Sequence, residues 1–124
     1  MTEEIKSFIQ KDETAKRMVE YAEKLAMDIC QDVSSSQIRN AYGTVKKLEM
    51  QSVFDNKSYR ELLLLKPKLA YARGRSSKKE IFKKLEDTVS AAIDAVDVKE
   101  PETFKRFCNF FEAILAYHKA HGGK

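Results

Sequence analysis

Apolar residues recur every three to four positions along nearly the whole chain, the period of a helix with one buried face. The cleanest run covers residues 13–32. There Ala15, Met18, Val19, Ala22, Leu25, Ala26 and Ile29 form the apolar stripe, and Lys16, Glu20, Glu23 and Lys24 the wet face. Before it, Ile5, Phe8 and Ile9 mark a short amphipathic segment over 3–10, too short to be stable alone. Ser34-Ser35-Ser36 supplies a loop and an N-cap, because a serine oxygen accepts the free amide hydrogens of a first turn. The next helix is predicted from Gln37 to Phe54, with Ile38, Ala41, Tyr42, Val45 and Leu48 inward and Arg39 and Lys46 two turns apart on another face.

Asp55-Asn56-Lys57-Ser58 reads as a turn capped by Asn56 or Ser58, and a third element begins near Tyr59 and buries Leu62–Leu65. Pro67 lacks an amide hydrogen and disfavours helical geometry in the residue before it. Lys66 is therefore predicted to be non-helical or kinked, with a fresh turn from Pro67 to Ala72 that Gly74 closes. Residues 78–97 form a fourth long helix, with Ile81, Phe82, Leu85, Val89, Ile93 and Val96 inward. Pro101 opens the last, whose stripe is Phe104, Phe107, Cys108, Phe111, Ile114, Leu115 and His118. With no strand period and no repeat, the prediction is an all-α fold: a single compact bundle of about five helices forming one domain over 1–124, with 1–12 and 120–124 loosely ordered.

Charge changes this picture. The chain carries 23 basic and 19 acidic side chains, but the excess is not spread evenly. Residues 66–84 hold 8 basic side chains and 1 acidic one, whereas residues 1–33 hold 5 basic and 8 acidic. A basic block of this kind is the electrostatic footprint of a phosphate-binding surface, or else a solvated helix face. Cys30 and Cys108 both fall on apolar faces, as reduced thiols of a cytoplasmic protein do. The first residues do not read as a signal peptide, and no apolar run reaches the ~18 residues of a membrane span.

Catalytic chemistry is not in view. His118 and His121 stand three apart with no third ligand near in sequence, since Cys108 is almost three turns back. No Cys-x-x-Cys, phosphate-cradling glycine loop or Gly-x-Ser-x-Gly occurs, and no base stands beside a nucleophile. The expectation is a non-enzyme without metal or cofactor.

Two motifs then narrow the class. Ser36-Gln37-Ile38-Arg39 opens a helix and is followed by Tyr42 and Lys46; Leu65-Lys66-Pro67-Lys68-Leu69-Ala70-Tyr71 is followed by Arg75. In this order, in a helical chain of this size, they resemble the small subunit of the type III-A CRISPR effector, the Csm complex. The resemblance covers roughly Ser34 to Arg75; the flanking helices agree only in length and helical character. It implies a non-catalytic subunit that stacks with copies of itself as an inner filament, beside backbone and large subunits. Such a subunit contacts phosphates and some bases of target RNA and of the guide RNA–target duplex without sequence preference, because base pairing carries the specificity.

On this basis Arg39, Lys46, Lys66, Lys68 and Arg75 are candidate phosphate contacts, forming a two-part basic surface. Lys78 and Lys79 join them, because cations at a helix start oppose its dipole and so suggest another use. Gln37 is a candidate contact to a base edge or sugar, or a plain first-turn residue. Tyr71 is expected mostly in the core, with its hydroxyl in water, rather than as a stacking platform; Phe110 is expected under the N-terminal segment through Phe8 and Ile9, and Tyr117 is assigned to neither core nor interface. Two other classes compete: a helical DNA-binding regulator, and a scaffold bundle whose basic block meets an acidic protein partner. No membrane partner is expected.

Overall fold

The computed structural model describes residues 2–124, and these are helical with no strand. Seven helices follow one another: α1 Thr2–Gln10, α2 Ala15–Ile29, α3 Ser35–Glu49, α4 Asn56–Leu63, α5 Leu65–Arg75, α6 Lys79–Asp94 and α7 Pro101–Ala120. The expected count of about five is therefore too low, even if α4 and α5, parted by the single residue Leu64, are taken as one.

The apolar breadth of α7 puts it at the centre. Phe104, Phe107, Cys108, Phe110, Phe111 and Ile114 are all buried. α7 packs most extensively against α2 and also touches α1, α3 and α6. Phe110 meets Phe8 edge-on with centroids 5.5 Å apart, so it lies under α1 as expected. On the other side α6 packs against α1, α2 and α5, and α5 is held between α6 and α3. Among the described residues no helix is long and apolar enough to cross a membrane.

Local chemistry sets the ends. Ser34 caps α3: its hydroxyl accepts from the Gln37 amide at 3.2 Å, while the Gln37 side chain accepts from the Ser34 amide at 2.9 Å. This reciprocal capping box satisfies two otherwise free amides. α3 stops at Glu49 rather than Phe54 because its apolar stripe ends at Leu48. Phe54 instead reaches the core from the loop and stacks on Phe104 at 4.1 Å. Asp55, not Asn56 or Ser58, caps α4; its carboxylate accepts from the Ser58 amide at 3.0 Å, which holds its pKa below the usual carboxylate value.

The break caused by Pro67 falls earlier than expected. Lys66 is helical, and Leu64 is the interruption. A proline ring excludes the carbonyl four residues before it, here that of Leu63, yet is tolerated in a first turn. Pro67 accordingly sits in the first turn of α5, and α4 ends at Leu63. Leu64 is 50% exposed, because the inward stripe runs Leu62, Leu65, Leu69 and leaves it on the far side; Leu63 is half-buried. α5 also runs through Gly74 to Arg75 instead of closing at Gly74.

Tyr42 ties α3 to α7. Its hydroxyl donates to Glu112 at 3.0 Å, and burial followed by that carboxylate pushes its pKa up to about 12. Between the ordinary phenol value of 10.0 and 12 the native state keeps a proton that the unfolded chain has lost. This contribution to stability is complete below pH 10 and disappears as pH rises through the folded value. Tyr59 and Cys108, both raised chiefly by burial, act in the same direction. Unfolding midpoints measured across alkaline pH are expected to fall less steeply in Tyr42→Phe than in the wild type.

Candidate nucleic-acid interface

α5 offers two different flanks. Leu65 and Leu69 anchor it. On the side turned to α6, Lys66 pairs with Asp94 at 2.6 Å and Arg73 pairs with Glu86. These pairs come from the basic block but are met by acids on the next helix, so that flank is largely neutralised. Lys83 is likewise paired, with Asp87 at 3.0 Å.

The other flank has no such compensation. Lys68, Tyr71 and Arg75 stand at i, i+3 and i+7, and so share one face of α5. All three are exposed, and among the described residues neither cation has an acidic partner. Tyr71 is 68% exposed, which corrects its expected place in the core. The physical reason is the buried stripe itself: Leu62, Leu65 and Leu69 stand at i, i+3 and i+7, and Tyr71, two residues past Leu69, falls on the opposite side of the helix. The Arg75 guanidinium lies 5.7 Å from the Tyr71 ring centroid and donates to its hydroxyl at 3.4 Å. Just beyond, Lys78 and Lys79 are exposed at the turn into α6, and the Lys79 ammonium donates to the Ser76 carbonyl at 3.2 Å.

α3 faces this stripe across a groove of about 200 Å³ lined by Gln37, Asn40, Ala41, Leu65, Lys68, Leu69 and Ala72. Gln37 is thus beside Lys68, but its side-chain oxygen is engaged in the capping box. Asn40 is exposed and brings a free amide to the same groove. It was missed in sequence because a lone asparagine in a helix carries no signal; only the packing of α3 on α5 gives it a place.

Arg39 and Lys46 lie on the opposite flank of α3. They share it with Tyr42, at i, i+3 and i+7, and Tyr42 points to Glu112 of α7. Lys46 pairs with Glu49 at 3.4 Å and lies close enough to Cys108 to influence its thiol, whereas Arg39 is exposed with no acidic partner among the described residues. The structure therefore sets Gln37 beside Lys68 at the groove and Lys68 with Arg75 on one face of α5, while Lys78 and Lys79 follow, exposed, at the turn into α6. It sets Arg39 and Lys46 apart on the flank of α3 turned to α7, and ties Lys66 to α6.

The remaining chemistry is structural. His118 is fully buried and its Nε2 lies 2.6 Å from the Val33 carbonyl oxygen, which can only accept. Nε2 thus carries the hydrogen. His121 meets Glu23 at 2.9 Å. Cys30 and Cys108 are buried free thiols, and burial pushes the Cys108 thiol up to about 12, far from a reactive thiolate.

A family model described as Csm2 Type III-A matches residues 12–124. The CRISPR system Cms protein Csm2 of Streptococcus thermophilus is 29% identical over 101 residues, covering 74% of this chain and 75% of that protein. No solved structure matches the chain at a significant level.

Proposed function

The chain belongs to the Csm2 Type III-A family, the small subunit of the type III-A CRISPR effector, and on that footing we propose that it is a non-catalytic RNA-binding subunit. In this reading copies stack as an inner filament in a cytoplasmic assembly, alongside backbone and large subunits. They present cations to target RNA and to the guide–target duplex without reading sequence. The observation that carries it is the uncompensated stripe of Lys68 and Arg75, continued by Lys78 and Lys79, in a chain whose other cations of that block are largely paired.

These four are the primary phosphate contacts. An arginine forks onto a phosphate with two hydrogen bonds, and a lysine meets it as a point charge. Arg39 contacts a neighbouring stretch of strand from the other flank of α3. Gln37, Lys46 and Lys66, already engaged within the chain, contribute less. Binding by one copy is weak and salt-sensitive, and repetition along the filament multiplies it.

The test is target-RNA retention by the assembled complex carrying Lys68→Glu with Arg75→Glu. The complex is expected to assemble with all subunits and to release target RNA faster than the wild type at physiological salt. Unchanged release by a fully assembled variant complex would sink the site assignment.

A further inference from the structure

Eleven of the twelve aromatic side chains are buried or packed half-buried against the core; Tyr71 alone is exposed. An aromatic left in water on an otherwise well-buried chain has forgone its usual stabilisation, and its surroundings indicate why. Its face of α5 carries Lys68 and Arg75, with Pro67 and Gly74 nearby and no acid between them. Arg75 braces the ring at 5.7 Å and its hydroxyl at 3.4 Å. The buried Leu65 and Leu69 set the roll of the helix, and the pairs Lys66–Asp94 and Arg73–Glu86 on its other flank agree with it, so this face stays in water.

We infer that Tyr71 is a stacking platform for an unpaired RNA base, with Lys68 and Arg75 holding phosphates on either side of it. The inference rests on the RNA-binding reading above and adds to it one named side chain that holds a base by its face. A single strand has both features that this stripe fits, regularly spaced negative charge and exposed π-faces. Every base has such a face, so stacking adds affinity without sequence preference. Lys68 and Arg75 stand about 10 Å apart along the helix axis, at 1.5 Å per residue, with Tyr71 between them. Apolar Pro67 and, two turns back, Leu64 share this face, but the charged side chains Lys68 and Arg75 flank the ring, which suits a polyanion better than an apolar protein surface.

The test uses the full chain with two single-stranded oligoribonucleotides of equal length, one carrying 2-aminopurine among its bases and one abasic through its centre. Tyr71→Ala is expected to weaken binding of the first by about fivefold to a hundredfold, the range of one base–aromatic stack. It should also abolish the 2-aminopurine quenching, leaving the salt dependence unchanged. Tyr71→Phe should bind within about twofold of wild type, because the ring and not the hydroxyl carries the contact. On the abasic strand wild type and Tyr71→Ala should be equal. Equal binding of the base-bearing strand by wild type and Tyr71→Ala overturns the stacking while leaving the RNA-binding reading intact. Failure of the wild type to bind either strand overturns both. A Tyr71→Phe loss as large as that of Tyr71→Ala, or an equal Tyr71→Ala loss on the abasic strand, assigns the residue to positioning Arg75 and overturns the stacking. Loss of assembly with other subunits at unchanged RNA affinity assigns it to a protein contact, with the same consequence.

Discussion

Phe107→Ala is expected to lower the unfolding free energy by about 3–5 kcal/mol, the range for a large aromatic removed from a core that cannot collapse. Phe107 is 1% exposed and sits in a row of rings on α7, with Phe104 and Phe111 each 6.2 Å away between centroids. Phe54 extends the row from the α3–α4 loop by stacking on Phe104. α7 is wedged among α1, α2, α3 and α6, so the walls of the cavity belong to several elements that cannot all move in. Domains of this size have only about 5–15 kcal/mol in total, so the variant should stand close to the folding threshold. Met50, 76% exposed, is the control: Met50→Ala should change stability by less than about 0.5 kcal/mol. Urea unfolding of both variants measures the difference. A loss below 1 kcal/mol at Phe107 would mean that α7 is not the centre of the core.

The second large effect is expected at Gly123. Its backbone closes over His118, and a Cβ there would lie 2.1 Å from the Cε1 and Nδ1 of the ring and 2.6 Å from the His118 carbonyl oxygen. The ring cannot give way, because it is fully buried and fixed by the Val33 carbonyl. The segment around Gly123 must lift instead. It then loses the bond from the Gly123 amide to the His118 carbonyl at 2.8 Å and that from the Ser35 hydroxyl to the Gly123 carbonyl at 3.3 Å. Gly123→Ala is expected to cost about 1–3 kcal/mol, the scale of overpacking, with the free energy of docking this segment as its ceiling. Native-state hydrogen exchange should show faster exchange at the Gly123 amide and little change at the centre of α7. Unchanged protection at Gly123 would contradict the contact.

Much of the fold was legible because its determinants are local. The Ser34–Ser36 run announced a serine cap for α3, though not that Ser34 with Gln37 makes it, and Pro101 marked the first turn of α7; the broad apolar surface of α7 fitted either a central helix or an interface, and packing made it central. Phe110 lies off that stripe, and its expected place under Phe8 rested on the short apolar N-terminal segment needing a partner. α5 was misread because only Leu65 and Leu69 anchor it, too few positions to fix a phase from sequence. The core placement expected for Tyr71 rested on the apolar character of the stretch around it, although the Leu65–Leu69 stripe leaves it on the far side of the helix. The division of the cations was illegible for another reason. Lys66 meets Asp94, 28 residues on, and Arg73 meets Glu86, 13 residues on; such pairings depend on how α5 and α6 dock. Charge density along the sequence thus located the basic block, but only packing separated the free cations from the neutralised ones.

The most direct test of RNA binding through α5 is the salt dependence of single-stranded RNA affinity, compared between the wild type and Lys68→Ala with Arg75→Ala. Each phosphate contact on a single strand contributes about 0.7 to the slope of log affinity against log salt. If both side chains hold a phosphate, the double variant should bind more weakly on every sequence, with a slope shallower by about 1.4. Equal slopes for the two proteins would contradict it.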